Sequence, residues 1–580
     1  MTTQTNEIPM SEKIRHSLAH ILAMAVLKKF PKTKLGIGPV IENGFYYDFS
    51  LPSPIAEKDL PELEESMKSI IRGNLDFAGE NSTPAKARKL FADQPFKLEL
   101  IKDFVKEKRE LRVYRTGGDF FDLCRGGHVK STSEIPPDAF KLVSVAGAYW
   151  KGSEKNPMLT RIYASAFETK NELEKHLALL EEAKKRDHKR LGQELDLFTF
   201  SDLVGPGLPL WTPKGTILRN ILDDFVWKLR KERGYQQVDI PHITKKDLFE
   251  KSGHWDKFKN ELFKIETREG HILAMKPMNC PHHTQIFARR LWSYRDMPQR
   301  YASTTKVYRD EQTGELAGLS RVRAITQDDA HVFCRQSQAK EEILKIWDIV
   351  HEFYGKAGFS LRTRLSLSDP ENLKAYLGSR EVWNKAEEML RTILKEKNSN
   401  AFEAPGEAAF YGPKIDFLAS DSLGREWQVA TIQLDMNLPE RFDLSCVNEK
   451  GERERIVMIH AAIMGSIERY LSILIEHFAG AFPFWLAPTQ ILIATVNDSV
   501  QSYTEEIEKR LEAKGVRVEL DLRNETIGKK IREGELQKIP YLLIIGPREV
   551  ESKTIAVRER GKGDRGAATL EEFLDSIKSK

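Results

Sequence analysis

Residues 307–333 read VYRDEQTGELAGLSRVRAITQDDAHVF, and this segment is the strongest indicator of the fold in the sequence. Two apolar runs flank a loop that contains glycine and many charges, a pattern that predicts two strands joined by that loop. Arg309 and Arg321 flank the loop, and Arg323 follows. Guanidinium groups on rigid strands can bind phosphate oxygens in a bidentate manner. Taken singly, each arginine is better explained by an ordinary ion pair.

Two segments on either side extend the pattern. Residues 233–241, RGYQQVDIP, predict a helix end followed by a strand that a proline closes. Residues 458–478, MIHAAIMGSIERYLSILIEHF, predict a strand that enters a helix, with Arg469 about one turn in. Between 195 and 487, short strands alternate with helices, so we expect an α+β domain with an antiparallel sheet and helices around it. Arginines placed in this way suit an adenylating enzyme, because charge develops on the α-phosphate when a carboxylate attacks it.

The rest of the chain suggests three more parts. Residues 1–166 contain a predicted amphipathic helix (11–30), an Asn43–Gly44 hairpin signal and a charged helix (56–73). Residues 167–194 are dense in Glu and Lys and predict a solvated connecting helix. Residues 488–580 predict a compact α/β domain, with strands at QILIATV, RVEL, YLLII and TIAVR.

Composition sets broad limits on the class of protein. The 580 residues suggest about four domains. Hydrophobic residues make up 40% and charged residues 30%, as in a soluble protein, and the formal net charge of +4 does not locate a nucleic-acid surface. The sequence has no apolar run of membrane-spanning length and no secretory signal pattern. Four scattered cysteines do not suggest a disulfide framework. We therefore expect a cytoplasmic protein without a membrane partner.

Histidines near a cysteine occur in the N-terminal part. His16 and His20 are four residues apart and share one face of the predicted helix, and the segment CRGGH places Cys124 close to His128. These four side chains could form a zinc site, or they could orient water and an ester for hydrolysis. Both alternatives stay open from the residues alone.

Several details resemble one known family. The segments VYRDE, TQDDAH, MKPMNCPHH, AFYGPKIDF and GSIERY are similar to motifs of the threonyl-tRNA synthetase family, within the class II aminoacyl-tRNA synthetases. The resemblance covers nearly the whole chain. It implies ATP-dependent ligation of L-threonine to tRNA(Thr) through threonyl-adenylate, and a homodimer formed through the 233–241 segment.

The resemblance implies a role for each matched residue around ATP. Arg309 is expected to hold the α-phosphate, and Glu311 the amino group of adenine. Arg321 and Arg469 are expected to hold the distal phosphates together with Mg²⁺. Further matched positions are Gln428 and Thr431 along the nucleotide, and His254 near the terminal ribose of the tRNA during transfer.

A zinc site is also implied by the resemblance. Spacing does not reveal it, and each residue alone is explained by a core thiol or a hydrogen-bonded histidine. Cys280, His331 and His460 match the ligands of one catalytic Zn²⁺ per subunit, whose fourth position threonine fills with its amino group and hydroxyl. Valine lacks the hydroxyl and is rejected. The expected partners of threonine are Gln327, Asp329, Tyr411 and Gln433. His282 and His283, beside Cys280, are interpreted as distractors.

Serine also carries an amino group and a hydroxyl. One methyl group distinguishes the two substrates by only about 1–3 kcal/mol, so a second, hydrolytic site is expected. The N-terminal cluster resembles the editing domain shared by threonyl- and alanyl-tRNA synthetases, and in the threonyl family it is regarded as a deacylation site without a required metal. The expected editing residues are His16, His20, Asp122, Cys124 and His128.

The C-terminal part resembles the anticodon-binding domain of the same subgroup. Asn524, Arg532 and Glu549 fall in the segments that face the anticodon in relatives, where side chains reach unstacked bases. The simpler interpretation of Lys529, Lys530 and Arg532 is a solvated helix face.

Four features depart from the family pattern. Ile325 stands where an aromatic residue often packs against adenine. Gly127 replaces a common proline, which is expected to loosen its loop, and His282 stands where glycine is usual. His16 lies so near Met1 that we expect no small domain ahead of the editing domain.

Two other function classes were compared with this hypothesis. A nucleic-acid-binding or regulatory paralogue that has lost catalysis is disfavoured by the retained Arg309, Glu311 and Arg469 and by the matched zinc triad. A zinc hydrolase centred on the N-terminal cluster, with an unrelated core, is the other alternative.

Overall fold

The computed structural model describes residues 8–153 and 155–578. The chain divides into two compact units, Met1–Glu181 and Glu182–Lys580. The finer predicted boundaries at 166, 194 and 487 stay predictions. Among the described residues, none of the helices combines the length and the apolar character that crossing a membrane requires.

The first unit holds two antiparallel sheets. One has the strand order β1-β3-β8-β7, with β2 paired to β3, and the other has the order β4-β5-β6. Its elements are α1 (Met10–Lys29), β1 (Lys34–Leu35), β2 (Val40–Ile41), β3 (Gly44–Ser50), α2 (Leu60–Arg72), β4 (Phe77–Asn81), α3 (Pro84–Leu90), α4 (Pro95–Lys106), β5 (Arg112–Thr116), β6 (Phe120–Leu123), β7 (Phe140–Tyr149) and β8 (Met158–Ala166).

Local signals in this unit are confirmed. The predicted helix over 11–30 is α1, which buries Ile14, Leu18 and Ile21 in the core of the unit. The Asn43–Gly44 signal marks the hairpin between β2 and β3. A side chain at Gly44 would collide with the backbone of Ala164, so β8 can pair closely with β3 here only because residue 44 is glycine.

The predicted connecting helix over 167–194 is two helices. They are α5 (Lys170–Arg186) and α6 (His188–Glu194), separated at Asp187. The carboxylate of Asp187 accepts the backbone N–H of Lys189 at 2.7 Å, so a new helix starts there. The prediction of a solvated face holds for most of α5, but it is wrong for α6, where His188 and Leu191 are buried.

The largest sheet of the second unit has eight strands, in the order β11-β16-β17-β24-β21-β20-β18-β19. Pairing is antiparallel except at the two edges, where β11–β16 and β18–β19 are parallel. The predicted antiparallel core with surrounding helices is therefore confirmed for this part of the second unit, which also holds three smaller sheets, β10-β9, β12-β14-β13 and β15-β22-β23, within the described residues. Its elements are β9 (Phe198–Thr199), β10 (Leu210–Trp211), α7 (Pro213–Glu232), β11 (Gln236–Gln237), β12 (Ile243–Lys245), α8 (Lys246–Ser252), α9 (His254–Lys257), β13 (Lys264–Glu266), β14 (Ile272–Met275), α10 (Cys280–Ala288), β15 (Trp292–Ser293), β16 (Gln299–Tyr308), β17 (Ala324–Cys334), α11 (Ala339–Ala357), β18 (Leu361–Leu367), α12 (Arg380–Glu396), β19 (Phe402–Pro405), β20 (Lys414–Ser420), β21 (Glu426–Asp435), α13 (Asn437–Arg441), β22 (Ser445–Val447), β23 (Arg453–Arg455), β24 (Val457–Ser466) and α14 (Ile467–His477).

The three predicted motif segments meet in this sheet. Strands β16 and β17 flank the loop 309–323, and β24 lies beside β17 and leads directly into α14. Strand β11, at one edge of the sheet, has only two residues. The hydroxyl of Ser466 accepts the backbone N–H of Arg469 at 3.2 Å, so α14 starts as its sequence predicts.

Asp328 links two of these segments where the register between β17 and β24 shifts. Its carboxylate accepts the backbone N–H groups of Ile463 and Met464, each at 2.9 Å, and the guanidinium of Arg230 from α7 at 3.1 Å. The side chain is fully buried, and burial raises the pKa of Asp328 to about 6. Asp328 therefore satisfies backbone donors that the ladder leaves unpaired.

The C-terminal part is a mixed five-stranded sheet of order β26-β25-β27-β28-β29 with helices packed on it. The four predicted strands are present, and β29 was not predicted because GDRGAA lacks apolar alternation. Its elements are β25 (Ile491–Thr495), α15 (Gln501–Glu512), β26 (Val518–Asp521), α16 (Ile527–Leu536), β27 (Tyr541–Ile545), α17 (Pro547–Ser552), β28 (Ile555–Glu559), β29 (Gly563–Ala568) and α18 (Leu570–Ile577).

Candidate functional site

A cavity of about 950 Å³ opens on the central sheet, between the loop 309–323 and strands β17, β21 and β24. Nearly all residues predicted for ATP, threonine and zinc line it, although they come from distant parts of the sequence. They are Cys280, Arg309, Glu311, Arg321, Gln327, Asp329, His331, Tyr411, Gln428, Thr431, Gln433, His460 and Arg469.

Cys280, His331 and His460 lie together at one end of the cavity. Each contributes one donor atom, and the three atoms lie within 4.8 Å of one another. His331 and His460 are directly paired residues of β17 and β24, and Cys280 is the first residue of α10. Cross-strand pairing thus explains how ligands separated by more than a hundred residues meet.

Buried partners orient both imidazoles. Nε2 of His460 is bonded to Asp435 at 2.9 Å, and Nδ1 of His331 is bonded to Nδ1 of His283 at 2.8 Å. The remaining nitrogens, Nδ1 of His460 and Nε2 of His331, face each other. Metal-binding histidines in proteins are held by such outer hydrogen bonds. The donor set therefore fits a tetrahedral Zn²⁺ that keeps one position open.

His283 is thus more than a distractor, since it orients His331. The hydroxyl of Ser303 lies 3.2 Å from Nε2 of His283 and holds that ring in turn. His282 lies outside this donor set, and its ring packs edge-on against that of Phe249. Burial, with smaller contributions from Asp329 and Asp435, raises the pKa of the Cys280 thiol. A bound cation would therefore have to displace its proton.

Polar groups surround the candidate zinc site. Asp329 is bonded to the amide of Asn279 at 3.1 Å. The hydroxyl of Tyr411 donates to Gln433 at 2.7 Å, and its ring stacks on His460 with centroids 4.9 Å apart. The amide oxygen of Gln327 is buried and has no hydrogen-bond partner among the described residues. An acceptor of this kind suits a polar ligand in the cavity.

His254 does not line the cavity. It is fully buried, its Nδ1 is bonded to the hydroxyl of Ser252 at 2.7 Å, and its Nε2 lies 3.9 Å from the sulfur of Cys280. Burial lowers the pKa of His254 to about 3. The ring is therefore neutral and lies behind Cys280, outside the cavity.

The other end of the cavity carries arginines that lack acidic partners. Nε of Arg309 is buried without a hydrogen bond, and its guanidinium lies 5.6 Å from the ring of Phe258. The guanidinium of Arg469 lies 5.7 Å from the ring of Trp427, and burial lowers its pKa. In the described chain, neither guanidinium forms an ion pair with a carboxylate. Both cations are available to an anionic ligand.

Arg321 and Glu311 are paired with each other. Nη2 of Arg321 lies 2.7 Å from Glu311 and 3.2 Å from Glu315. The ordinary ion pair considered for the arginines in the sequence is thus observed for Arg321. Its side chain is 49% exposed and that of Glu311 only 10%, so the guanidinium stays accessible from the cavity while the carboxylate is largely buried.

A fully buried carboxylate holds two expected nucleotide residues. One oxygen of Asp416 accepts the amide N–H of Gln428 at 2.9 Å and the hydroxyl of Thr431 at 2.8 Å. The other oxygen accepts donors from Arg364, Ser366 and Lys414. Arg364 also donates to the amide oxygen of Gln428 at 2.7 Å, which fixes the orientation of that amide. The sequence analysis missed Asp416 because one acidic residue in an apolar strand carries no distinctive spacing.

The four side chains of the N-terminal cluster also meet. His16, His20, Cys124 and His128 offer donor atoms within 4.8 Å of one another. The sulfur of Cys124 lies 3.2 Å from Nε2 of His16 and 3.1 Å from Nε2 of His128. Burial raises the pKa of Cys124 to about 12 and lowers the pKa values of the three histidines. The cluster thus holds a thiol and neutral imidazoles, which can act as general bases.

Asp122 is buried beside this cluster, as expected, together with residues that the sequence analysis missed. Its carboxylate forms an ion pair with Lys97, accepts the hydroxyl of Tyr47 at 2.6 Å and lies 3.7 Å from Nε2 of His20. Lys97 is only 1% exposed, although its helix sequence PFKLELIKDF favours a solvated face. A buried cation at this position balances the carboxylate and adds a donor near the histidines.

Gly127 adopts a backbone conformation that proline cannot share. Its φ is +89°, whereas the proline ring holds φ near −65°. A Cβ at this position would also lie 2.9 Å from the side chain of Ile8. The loop over His128 therefore follows a path that a proline at residue 127 does not allow.

The expected anticodon residues lie in different environments. Asn524 and Arg532 are exposed. The carboxylate of Glu549 accepts the backbone N–H of Gly546 at 2.8 Å and caps α17. Part of its hydrogen-bonding capacity is therefore used within the domain. Lys530 is buried and donates to the carbonyls of Thr495 and Asp521, so the prediction of a solvated face is wrong for this residue.

Comparison with known proteins agrees with this geometry. Three family models match: the tRNA synthetase class II core domain (G, H, P, S and T) over residues 263–478, an anticodon binding domain over 490–580, and the threonyl and alanyl tRNA synthetase second additional domain over 111–163. A threonine–tRNA ligase of Gloeobacter violaceus is 50% identical over 97% of this chain and 91% of its own, and one of Thermotoga petrophila is 46% identical over 100% and 89%.

Solved structures give the same result. The RNA binding domain of threonyl-tRNA synthetase from Cryptosporidium parvum is 38% identical, with a TM-score of 0.64, and the match covers 68% of this chain and 98% of that one. A putative threonyl-tRNA synthetase of Aeropyrum pernix is 31% identical, with a TM-score of 0.59 and coverage of 68% and 95%. Prolyl-tRNA synthetase of Giardia lamblia, at 18% identity and a TM-score of 0.53, shares the fold.

Proposed function

The chain belongs to the threonyl-tRNA synthetase family. We propose that threonine binds at one end of its central cavity, the zinc end with Cys280, His331 and His460, and that ATP binds at the other, the arginine end with Arg309 and Arg469. The enzyme ligates L-threonine to tRNA(Thr) with ATP, and its additional domain edits mischarged seryl-tRNA(Thr). This arrangement is supported by one observation: the cavity that holds the donor atoms of Cys280, His331 and His460 also holds the unpaired Arg309 and Arg469.

At the zinc end, Cys280, His331 and His460 would hold one Zn²⁺ per subunit. When bound, this ion supplies a Lewis acid that recognises the amino group and hydroxyl of threonine. Asp329 would accept the amino group, and the expected hydroxyl partners are Gln327, Tyr411 and Gln433. Valine has no hydroxyl, so these polar groups would stay unsatisfied and valine would be rejected.

At the arginine end, ATP would lie with its α-phosphate on Arg309 and its distal phosphates on Arg469 and Arg321, together with Mg²⁺. The carboxylate of threonine attacks the α-phosphorus, pyrophosphate leaves, and threonyl-adenylate forms. Arg309 stabilises the charge that develops on the α-phosphate. Glu311, released from Arg321, would accept the adenine amino group, with Gln428 and Thr431 held along the nucleotide by Asp416.

In the second step, a ribose hydroxyl of the terminal nucleotide of tRNA(Thr) attacks the threonyl carbonyl, and AMP leaves. His254 was expected near this ribose. Because the ring is buried behind Cys280, direct contact requires the segment 253–258 to move. Gly253 precedes the segment with a φ of +85° and could serve as its hinge.

For editing, we assign hydrolysis of the seryl ester to His16, His20, Cys124 and His128, with Asp122 as their companion. Neutral imidazoles can take a proton from water as it attacks the ester carbonyl. The second candidate for this cluster, a zinc site, uses the same donor atoms. Deacylation that survives removal of metal would distinguish the two.

Partners and location complete the proposal. Asn524, Arg532 and Glu549 are assigned to the anticodon of tRNA(Thr). A homodimer is supported by apolar side chains exposed around α7, namely Leu203, Leu210 and Ile217. A cytoplasmic location is supported by the four cysteines, which are all free.

The deciding experiment measures ATP–pyrophosphate exchange with every proteinogenic amino acid, together with the metal content of the same sample. We expect exchange with threonine, weak exchange with serine, none with valine, and about one zinc per subunit. Exchange with valine as rapid as with threonine, or full threonine activation in metal-free enzyme, would contradict the proposed zinc end.

A further inference from the structure

His188 lies between the end of α14 and the loop 309–323, outside the cavity. Its Nδ1 lies 2.6 Å from the carboxylate of Glu476, and its Nε2 lies 3.1 Å from the backbone nitrogen of Leu319. Because a carboxylate only accepts and a backbone N–H only donates, the proton of this ring is on Nδ1. One neutral imidazole therefore connects the loop to α14.

The acidic side of this contact is itself anchored. Glu476 is also bonded to Arg425 at 2.5 Å. Arg186, at the end of α5, donates to the backbone carbonyl of His477 at 3.0 Å. Asp187, His188 and Glu476 have spacing that a metal ion could use. Both nitrogens of His188 already have partners, so a cation would find no free imidazole there.

On the loop side, the contact is tight. Gly318 has a φ of +54°, and a Cβ at this position would collide with Nε2 of His188. The side chain of Leu319 is fully buried. The turn is closed by hydrogen bonds from the Ala317 nitrogen to the Arg321 carbonyl at 3.2 Å and from the Ser320 nitrogen to the Ala317 carbonyl at 3.0 Å. These hydrogen bonds connect Leu319 and Arg321 within one closed turn.

The opposite side of the same turn faces the nucleotide end of the cavity. Ala317, Ser320 and Arg321 line the cavity there. A shift of the turn away from His188 would move the guanidinium of Arg321 by a similar distance. A hydrogen bond to a phosphate oxygen loses most of its strength when it lengthens by about 1 Å. The attraction of an ion pair falls with the inverse of the distance.

We propose that His188 is a positioning residue for ATP: its Nε2 fixes the 317–321 turn so that Arg321 reaches the distal phosphates. This inference rests on the proposed role of Arg321. It gives a function in the synthetic reaction to a residue of the segment that connects the two units.

Two variants separate the two hydrogen bonds of the ring. In His188→Gln, the amide can replace Nε2 and accept the N–H of Leu319, whereas in His188→Asn the shorter amide can replace only Nδ1. We expect His188→Asn to raise the KM for ATP about tenfold in ATP–pyrophosphate exchange, because a buried N–H loses its acceptor. The kcat and the KM for threonine should change little, and His188→Gln should stay close to the wild type.

Melting temperature and zinc content are measured on both variants, and Arg321→Ala serves as the reference for a lost phosphate contact. A purely structural role would lower the melting temperature in both variants and leave the KM for ATP unchanged, which would overturn the inference. Equal effects of Gln and Asn on the KM for ATP would overturn it as well. If Arg321→Ala itself leaves the KM for ATP unchanged, the proposed role of Arg321 fails instead.

Discussion

Nε2 of His331 and Nδ1 of His460 lie 3.1 Å apart on directly paired residues of β17 and β24. Two imidazole nitrogens at this distance share one proton or one cation between them. Because Asp435 and His283 bond to the other two ring nitrogens, these two facing nitrogens and the sulfur of Cys280 are the donor atoms left for a cation. This pair determines where a metal ion can bind, and the first two predictions follow from it.

Cys280→Ala should lose the zinc ion and threonine activation together, because two imidazoles alone hold zinc weakly. The measurements are metal content and ATP–pyrophosphate exchange. Cys446→Ala, which removes another buried thiol in the same domain, is the control and should keep both. Normal exchange in a Cys280→Ala enzyme without metal would refute the assignment.

His283→Ala should weaken zinc binding by about 10–100-fold without removing a ligand, because His331 would lose the group that orients it. Competition with a chelator of known affinity measures this change. Unchanged zinc affinity would show that the bond between His283 and His331 has no orienting role.

Arg309→Ala should lower the rate of threonyl-adenylate formation by about 10²–10³-fold, as expected when a group that stabilises transition-state charge is removed. Arg309→Lys should restore little, since an ammonium cannot reproduce the planar fork. Lys306→Ala, which removes an exposed cation three residues earlier on β16, is the control. Rates measured under single-turnover conditions test this prediction, and equal effects at both positions would contradict it.

Cys124→Ala should abolish deacylation of seryl-tRNA(Thr) while threonine activation stays at the wild-type level. Because burial raises the pKa of Cys124 to about 12, its thiol should stay protonated at pH 8 and react slowly with alkylating reagents. A bound metal would instead require the thiolate. Rapid alkylation at neutral pH, or deacylation that chelation stops, would favour the zinc alternative.

Asp328→Asn should lower the free energy of unfolding by about 3–5 kcal/mol, because Arg230 would stay buried without its counter-charge. Asp348→Asn makes the same chemical change in an exposed ion pair with Lys397, and its effect should stay within about 1 kcal/mol. Denaturant titration of both variants compares the two sites. Similar losses would mean that burial of the Arg230 pair is unimportant.

The sequence allowed the sheet, its motif segments and most residues of the cavity to be predicted. Periodicity indicated the strands on either side of the loop 309–323 and the helix after β24. The meeting of Cys280 with His331 and His460 could be expected only from a family resemblance, since no local spacing encodes a contact across strands.

Single buried charges could not be predicted in the same way. Lys97 and Lys530 lie in helices whose local pattern is compatible with exposure, and Asp416 is a lone acidic residue in an apolar strand. Only tertiary packing surrounds all three with partners. His188 was missed for a related reason. The Glu- and Lys-rich composition of its segment favoured a solvated helix, and the capping side chain of Asp187 that starts α6 left no strong signal in that composition.

Strand β29 forms one outer edge of the C-terminal sheet, where unpaired backbone groups could recruit a strand from another molecule. Its sequence GDRGAA is poorly suited to pairing with such a strand. Asp564 and Arg565 are charged, and Gly566, with a φ of +83°, interrupts the extended backbone. These features disfavour pairing of this edge with a strand from another molecule. Replacing these residues with valine or isoleucine would be expected to favour self-association of the enzyme into fibrous or amorphous deposits.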